Sequence, residues 1–339
     1  MSESTPKFTH RHAAHCESGA TQALMLQEGT ELSEAMIFGI GSGIFFGFMP
    51  FVKVDRLPLT TYRIMPGGVF QRAANRLGVK VKRYHFRNPQ KGEKKLDQLL
   101  DEGRMLGAQV GVYWLPYFPP RLRFHFNAHN IVIYGKEGDD YLISDPVLNE
   151  PVRCASKDLL KARFAKGPLA PKGHIYHLLG KPDLSRLRPA TIKGIHETCN
   201  KMLKIPIPLF GVKGIRYLAN KLETWPERYG MKESNVHLGQ VIRMQEEIGT
   251  GGGGFRFVYA AFLQEASKLL GIEELSELSE KLTEVGDDWR YFALGGARIV
   301  KERDAITETY PHLAEILRGC ADKEEAIFTR LQQVMKGVR

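Results

Sequence analysis

Residues 124–146, FHFNAHNIVIYGKEGDDYLISDP, limit the fold more than any other stretch of this chain. Two runs of β-branched and aromatic residues flank a turn signal, GKEGD, and read as an antiparallel hairpin. A turn centred on Glu137 sets Ile131 opposite Ile143, Tyr134 opposite Asp140, and His129 opposite Asp145. Cross-strand partners have Cβ atoms roughly 5 Å apart, close enough for a carboxylate to hold the orientation and tautomer of an imidazole. Side chains alternate along a strand, so His129, Ile131, Ile133, Tyr141, Ile143 and Asp145 share a face that is apolar except at one end. At this point a base with its orienting acid and a plain hairpin with polar ends are both open readings.

The rest of the first half alternates short apolar runs with glycine and proline turns. Residues 110–117, 130–135, 141–146 and 174–180 read as strands, and 19–29, 67–78 and 93–103 as helices ending at glycine. The run AMIFGIGSGIFFGFMPFV, 35–52, is uncharged but carries four glycines and a proline, so it reads as buried core rather than a membrane span. After KPDLSRLRP strand signals fade. In FRFVYAAFLQEASKLLG, Phe255, Val258, Tyr259, Phe262, Ala266, Leu269 and Leu270 fall on one helical face with Gly271 as the stop, and 276–284, 293–303 and 323–336 are also helix-like. The expected architecture is α+β: residues 1–183 form a catalytic domain with a helix packed on an antiparallel sheet, and 184–339 form an all-α domain.

Near the N-terminus, HRHAAHCESGATQALMLQEG (10–29) crowds His10, His12 and His15 around Cys16. The four cysteines, Cys16, Cys154, Cys199 and Cys320, are far apart with no CxxC pair, which argues against a disulfide framework or a thiolate zinc site. A metal centre on His10, His12, His15 and Cys16 would lack a second ligand cluster and would tie up the thiolate, so no metal is expected. If 16–29 is helical, Cys16 lies in or just before the first turn, where the positive dipole end favours thiolate. A cysteine at a helix head, followed at a distance by His129 and Asp145, is the logic of thiol acyl transfer. Thiolate attacks a carbonyl, imidazolium protonates the leaving group, and amides stabilise the oxyanion.

The order Cys, AHNIVIYG, SDP resembles papain-like cysteine enzymes of the bacteriocin-processing peptidase type. More closely, HCESGATQALM, LSEAMIFGIGSGIFFGF, LPY and HFNAHNIVIYG resemble the N-terminal domain of the butirosin biosynthesis protein H family, and IGTGGGGFRFVYAAFLQEA resembles the helical domain of unknown function that follows it. The resemblance spans about residues 10–335. It implies a papain-like fold and transfer of an aminoacyl group from an acyl-carrier-protein thioester to an amine, with Cys16 as nucleophile, His129 as general base and Asp145 as orienting acid. Papain-like enzymes usually place a glutamine some six residues before the nucleophile to complete the oxyanion hole. Here that position is His10, which leaves the second donor open among His10, His15 and Asn127.

The formal charge of +10 is uneven: residues 51–100 carry 12 Lys/Arg against 3 Asp/Glu, and 184–339 carry 23 against 21. Such a local basic face suits an acidic macromolecule, and with the resemblance the implied partner is an acidic carrier protein. No nucleic-acid reading motif accompanies it. The expected acceptor is a small amine or hydroxyl compound, with no cofactor of the enzyme's own because phosphopantetheine arrives on the donor. A homo-oligomer is left open. The glycine run 249–254 follows a helical stretch, and Phe255 and Arg256 replace the Lys and Ser/Thr of a P-loop. It reads as an interhelical turn or as a loop whose amides, such as that of Gly251, and Arg256 hold the arm's phosphate. Glu34 and Asp288–Trp289 are given no role. The first residues lack a secretory pattern, so a cytoplasmic enzyme is expected. Hydrolysis by the same three residues and a non-catalytic scaffold are the alternatives.

Overall fold

The computed structural model describes residues 8–54, 56–301 and 308–338. In chain order its elements are α1 (Cys16–Gln27), α2 (Glu34–Ile40), β1 (Ile44–Val54), β2 (Leu57–Arg63), α3 (Gly68–Arg76), β3 (Lys80–Tyr84), α4 (Pro89–Asp101), β4 (Leu106–Val110), β5 (His129–Glu137), β6 (Asp140–Ser144), β7 (Val152–Ala155), α5 (Ser156–Arg163), β8 (Ile175–Leu179), α6 (Leu187–Leu203), α7 (Gly211–Glu223), α8 (Trp225–Glu246), α9 (Arg256–Leu270), α10 (Glu274–Val300) and α11 (Tyr310–Val334). Two compact units emerge. One holds the described residues up to Ile37 together with Val69–Leu187, and the other holds Phe38–Gly68 together with the chain from Arg188.

The first unit is built on a six-stranded antiparallel sheet in the order β3-β8-β4-β5-β6-β7. Leu106, Ala108, Val110, Ile131, Ile133, Ile143 and Ile175 pack there with Leu96 and Leu99 of α4 and Leu159 and Ala162 of α5. Each of these leucine, isoleucine and valine side chains taken fully from water contributes roughly 1.5–3 kcal/mol, which makes this core the main stabiliser of the unit. Helix α1 rests against β4, β5 and β8 and is buried on every side over residues 16–25.

The hairpin forms with a different register. Val132 pairs with Ser144 and Ile133 with Ile143, then a bulge lets Glu137 pair with Asp140, so the loop is only Gly138 and Asp139. Near the site the pairing is two residues away from that expected. Because the side-chain period is two, a shift of two keeps every residue on its face. The strand expected at 110–117 is not formed. β4 stops at Val110, the Gly111 amide turns to the Ala162 carbonyl (2.8 Å), and Val112–Trp114 make a 3-10 turn. The prolines at 116, 119 and 120, which have no N–H to give a ladder, carry the chain away from the sheet.

In the second unit every regular element described from Leu187 onward is helical, with α10 covering 276–284 and most of 293–303, of which residues 302 and 303 lie outside the described residues. On α9, Tyr259, Phe262, Ala266 and Leu270 are buried as the spacing requires, while Val258 and Leu269 are half-buried; Phe255 is buried too but stands before the helix as its N-cap, in the left-handed region at φ 72°. The hairpin β1–β2 belongs here rather than with the residues on either side of it, a departure from the contiguous division at 183/184. Phe46 and Phe48 are fully buried, Phe46 against Trp289 and Phe48 against Tyr217 and Trp225, and the Phe48 amide donates to the Leu209 carbonyl at 3.0 Å. The apolar run 35–52 is thus core through Phe48, while Phe51 is 71% exposed.

Candidate active site

Cys16 is the first residue of α1 and His15 its N-cap, extended at φ −123° with Nδ1 accepting from the Ser18 amide. Above this turn the carboxylate of Glu34 accepts from the Ala14 amide (2.9 Å), the His15 amide (2.7 Å) and Ser18 Oγ (3.0 Å). The bond to the His15 amide satisfies a donor that the helix start leaves without an intrahelical partner, and the other two fix the turn before it. Burial pushes the Glu34 carboxyl above its ordinary range, against the lowering effect of the two amides. Glycine at position 19 sets the approach of the helix to the acid-bearing segment. A Cβ there would lie 2.6 Å from both Ala13 Cβ and Pro146 Cβ, and the Ala13 amide donates to the Pro146 carbonyl at 2.7 Å.

That approach brings the nucleophile candidate to its partners. His129 Nε2 lies 2.8 Å from Asp145 Oδ2, and the His129 ring also hydrogen-bonds Cys16. With Nε2 given to Asp145, Nδ1 is the ring nitrogen left for the sulfur. All three side chains are buried. Burial alone would lower the imidazole pKa, but the Asp145 carboxylate and the Cys16 sulfur more than offset it, and the group is raised to about 10. An imidazole that stays protonated at neutral pH beside a sulfur at a helix head favours a thiolate–imidazolium pair.

Asp145 is itself held. Tyr117 Oη donates to Oδ2 at 3.0 Å and the Val147 amide donates to Oδ1 at 3.3 Å. Burial, then the charge of Asp145, pushes the Tyr117 phenol well above its ordinary value, so it remains a donor throughout the working range. The Phe118 and His129 rings meet edge to face, 6.0 Å between centroids, from the same segment as Tyr117.

The other sequence candidates fall elsewhere. His10 spends both ring nitrogens: Nε2 meets the Leu148 carbonyl at 2.9 Å, so it carries the proton, and Nδ1 accepts from Ser144 Oγ at 2.7 Å. It braces the segment around Asp145 rather than aiming donors at the sulfur. Asn127 donates Nδ2 to the carbonyls of Lys166 (3.1 Å) and Pro168 (2.9 Å) and is occupied as a loop clamp. His15 adjoins Cys16, and its Nδ1 serves as the cap of α1. Among the described residues no group of three or more His, Cys, Asp or Glu is arranged to hold a metal ion.

In the second unit Gly251 lies in the turn between α8 and α9, where Gly249 and Gly251 to Gly254 all have positive φ. Arg256 is fully buried. Its Nε and Nη2 reach Glu324 Oε1 (2.8 Å) and Oε2 (2.9 Å), Nη1 reaches the Gly254 carbonyl (2.8 Å), and Trp289 Nε1 donates to Glu324 Oε1 (2.7 Å). An arginine so enclosed is a structural ion pair and not a phosphate ligand, which corrects that expectation and gives Trp289 a part in the core.

Sequence reasoning missed Tyr117 and Glu34. The first sits in a proline-rich segment with no period to place it. The second carries a weak signal, a glutamate at the start of a helix soon after the cysteine turn.

Residues 15–146 match the family described as Butirosin biosynthesis protein H, N-terminal, and residues 157–331 match Domain of unknown function (DUF4872). No curated protein matches the chain significantly. Among solved structures, the chain is similar to the peptidase domain of Streptococcus ComA, a bifunctional ABC transporter of a quorum-sensing pathway, at 12% identity and TM-score 0.33, over 52% of this chain and 100% of that one. It is also similar to a protein described as a C39-like peptidase from Bacillus anthracis, at 12% identity and TM-score 0.35, over 52% and 96%. No helix among the described residues is long and apolar enough to cross a membrane.

Proposed function

The chain belongs to the butirosin biosynthesis protein H family, and on that premise we propose that it moves an acyl or aminoacyl group from an acyl-carrier-protein thioester to an amine or hydroxyl of a small acceptor, through an acyl-enzyme on Cys16. The observation that carries this reading is the continuous chain of hydrogen bonds from Cys16 through His129 to Asp145.

The thiolate adds to the thioester carbonyl, and amides at the head of α1 stabilise the oxyanion. Collapse expels the carrier's thiol, which takes its proton from the His129 imidazolium, and leaves the acyl group on sulfur. Neutral His129 then accepts a proton from the incoming amine or hydroxyl as it attacks. The second collapse releases the amide or ester and restores the thiolate beside the imidazolium. Asp145 keeps the ring in one tautomer and stabilises its charged form. The phosphopantetheine arm belongs to the donor, and the enzyme needs no cofactor for these steps.

An acidic carrier protein fits the basic stretch, of which Arg72, Arg76, Lys80, Lys82, Arg83, Arg87, Lys91, Lys94 and Lys95 lie in the first unit. The test is mass spectrometry of the protein after exposure to acyl-carrier thioesters, with and without amine acceptors. An adduct on Cys16, absent in Cys16→Ala and discharged by amine faster than by water, supports transfer. Discharge to water alone makes the enzyme a thiol hydrolase, and no adduct with any thioester points to a scaffold.

A further inference from the structure

At one edge of the sheet β3 pairs with β8 so that Arg83 lies directly opposite Tyr176 and Tyr84 opposite Ile175. Continuing that register one step sets His85 opposite His174, on the same face as Arg83 and Tyr176. The two imidazoles stack with centroids 4.2 Å apart and planes 9° from parallel. The charge of Lys172 acts on His85, and its carbonyl accepts from the Phe86 amide at 2.8 Å with its backbone in the left-handed region at φ 51°.

The hydrogen-bonding state of His174 follows from its neighbour. Gln109 Nε2 donates to the carbonyls of Asn127 (2.9 Å) and Leu169 (3.0 Å), which fixes the amide so that Oε1 faces His174 Nδ1 at 3.4 Å. A carbonyl oxygen only accepts, so Nδ1 carries the proton and Nε2 presents a lone pair. His174 is 9% exposed, and its Nε2 has no hydrogen-bond partner among the described residues. A buried polar atom in that condition is costly unless something else fills the place.

The charges around it indicate what would. Arg83, Lys172 and the two imidazoles all carry or can carry positive charge. The carboxylate that faces Arg83 is that of Glu17, whose Oε1 already accepts from the Phe70 amide at 3.0 Å. Burial and the neighbouring cations hold both histidines neutral, His174 lowered to about 3 and His85 below its ordinary value.

We propose that this edge, formed by Arg83, His85, Lys172 and His174, binds the phosphate group of a small ligand. Arg83 and Lys172 donate to its oxygens, and the anion's charge offsets the repulsion from those two cations so that the exposed His85 takes a proton from solvent and donates as well. The site stands on β3 and β8 and does not depend on the acyl chemistry of Cys16. Two sources share the chemistry, a free phosphate and the phosphate at the end of a pantetheine arm.

Calorimetry with inorganic phosphate at fixed ionic strength, paired with NMR titration of the histidine ring protons, tests the proposal. Saturable binding is expected, with the pKa values of His85 and His174 moving up on saturation. Arg83→Ala and Lys172→Asn, the latter suited to a left-handed backbone, should each weaken phosphate by about tenfold or more, and Cys16→Ala should leave it unchanged. Phosphopantetheine binding more tightly than phosphate, with pantetheine silent, supports the arm as source. Equal affinity for phosphate and phosphopantetheine supports the free anion. Absence of saturable binding by either, or affinity untouched in both charge variants, overturns the site.

Discussion

Tyr117 and His129 converge on one oxygen of Asp145, the phenol donating at 3.0 Å and the imidazole nitrogen lying at 2.8 Å. The phenol thus competes with the imidazolium for the same lone pairs and moderates the pull of the carboxylate on the ring. Tyr117→Phe removes the competitor and leaves the packing. His129 should then hold its proton to higher pH, so the alkaline limb of the turnover profile moves up. The rate at neutral pH should fall by a few-fold to about tenfold as the carboxylate loses one of the donors that aim it. An unchanged limb with full activity would reduce Tyr117 to packing.

Asp145→Asn tests the sign of the same electrostatics. The carboxylate raises His129 to about 10 against burial. Without it burial is opposed only by the Cys16 sulfur, so the imidazole should lose its proton at lower pH and the alkaline limb should drop. Stability follows the same linkage. A group raised in the folded state contributes stability that is complete below its unfolded pKa, near 6.5, and is lost as pH rises toward 10. Because the Cys16 thiolate has already lost the proton that an unfolded thiol keeps up to about 8.5, the two effects cancel below that pH, so urea unfolding of the wild type should weaken between about 8.5 and 10, and Asp145→Asn should lack the decline.

Gly19→Ala should damage the site without touching any of its three residues. The added methyl meets Ala13 and Pro146 at 2.6 Å, too close for either to stay in place. Overpacking of this kind costs about 1–3 kcal/mol. Relief by moving Pro146 would carry Asp145 with it. Denaturation midpoints should fall, and alkylation of Cys16 by iodoacetamide at neutral pH should slow, since the thiolate depends on an imidazolium that Asp145 holds.

Much of the site was legible because its parts carry local signals. A helix stop at Gly29 located the helix head at Cys16, and alternation put His129 and Asp145 on one face. The register differs from the sequence expectation because Lys136 and Glu137 extend the ladder although charged residues there read as turn. The even shift kept the pair together, now as diagonal neighbours. What sequence did not carry was distant burial. Nothing in 38–68 says that Phe46 and Phe48 pack against residues well over 150 positions away, and nothing in GGFR says that the arginine finds a carboxylate at 324.

The Arg256–Glu324 pair gives the sharpest test of a residue whose sequence context suggested a ligand site. Both side chains are fully buried and joined by two parallel bonds, with Trp289 on the carboxylate and the guanidinium 4.8 Å from its ring. Removing one partner strands a charge out of reach of water, which costs about 3–5 kcal/mol, whereas replacing both with apolar residues of similar volume avoids that penalty. Arg256→Met and Glu324→Leu should each lower the urea midpoint sharply, and the double variant should recover part of the loss, short of wild type because Trp289 Nε1 loses its acceptor. Alkylation of Cys16 measured well below the midpoint should change little in all three. A surface phosphate ligand would behave oppositely, with Arg256→Met neutral for folding and damaging only to binding.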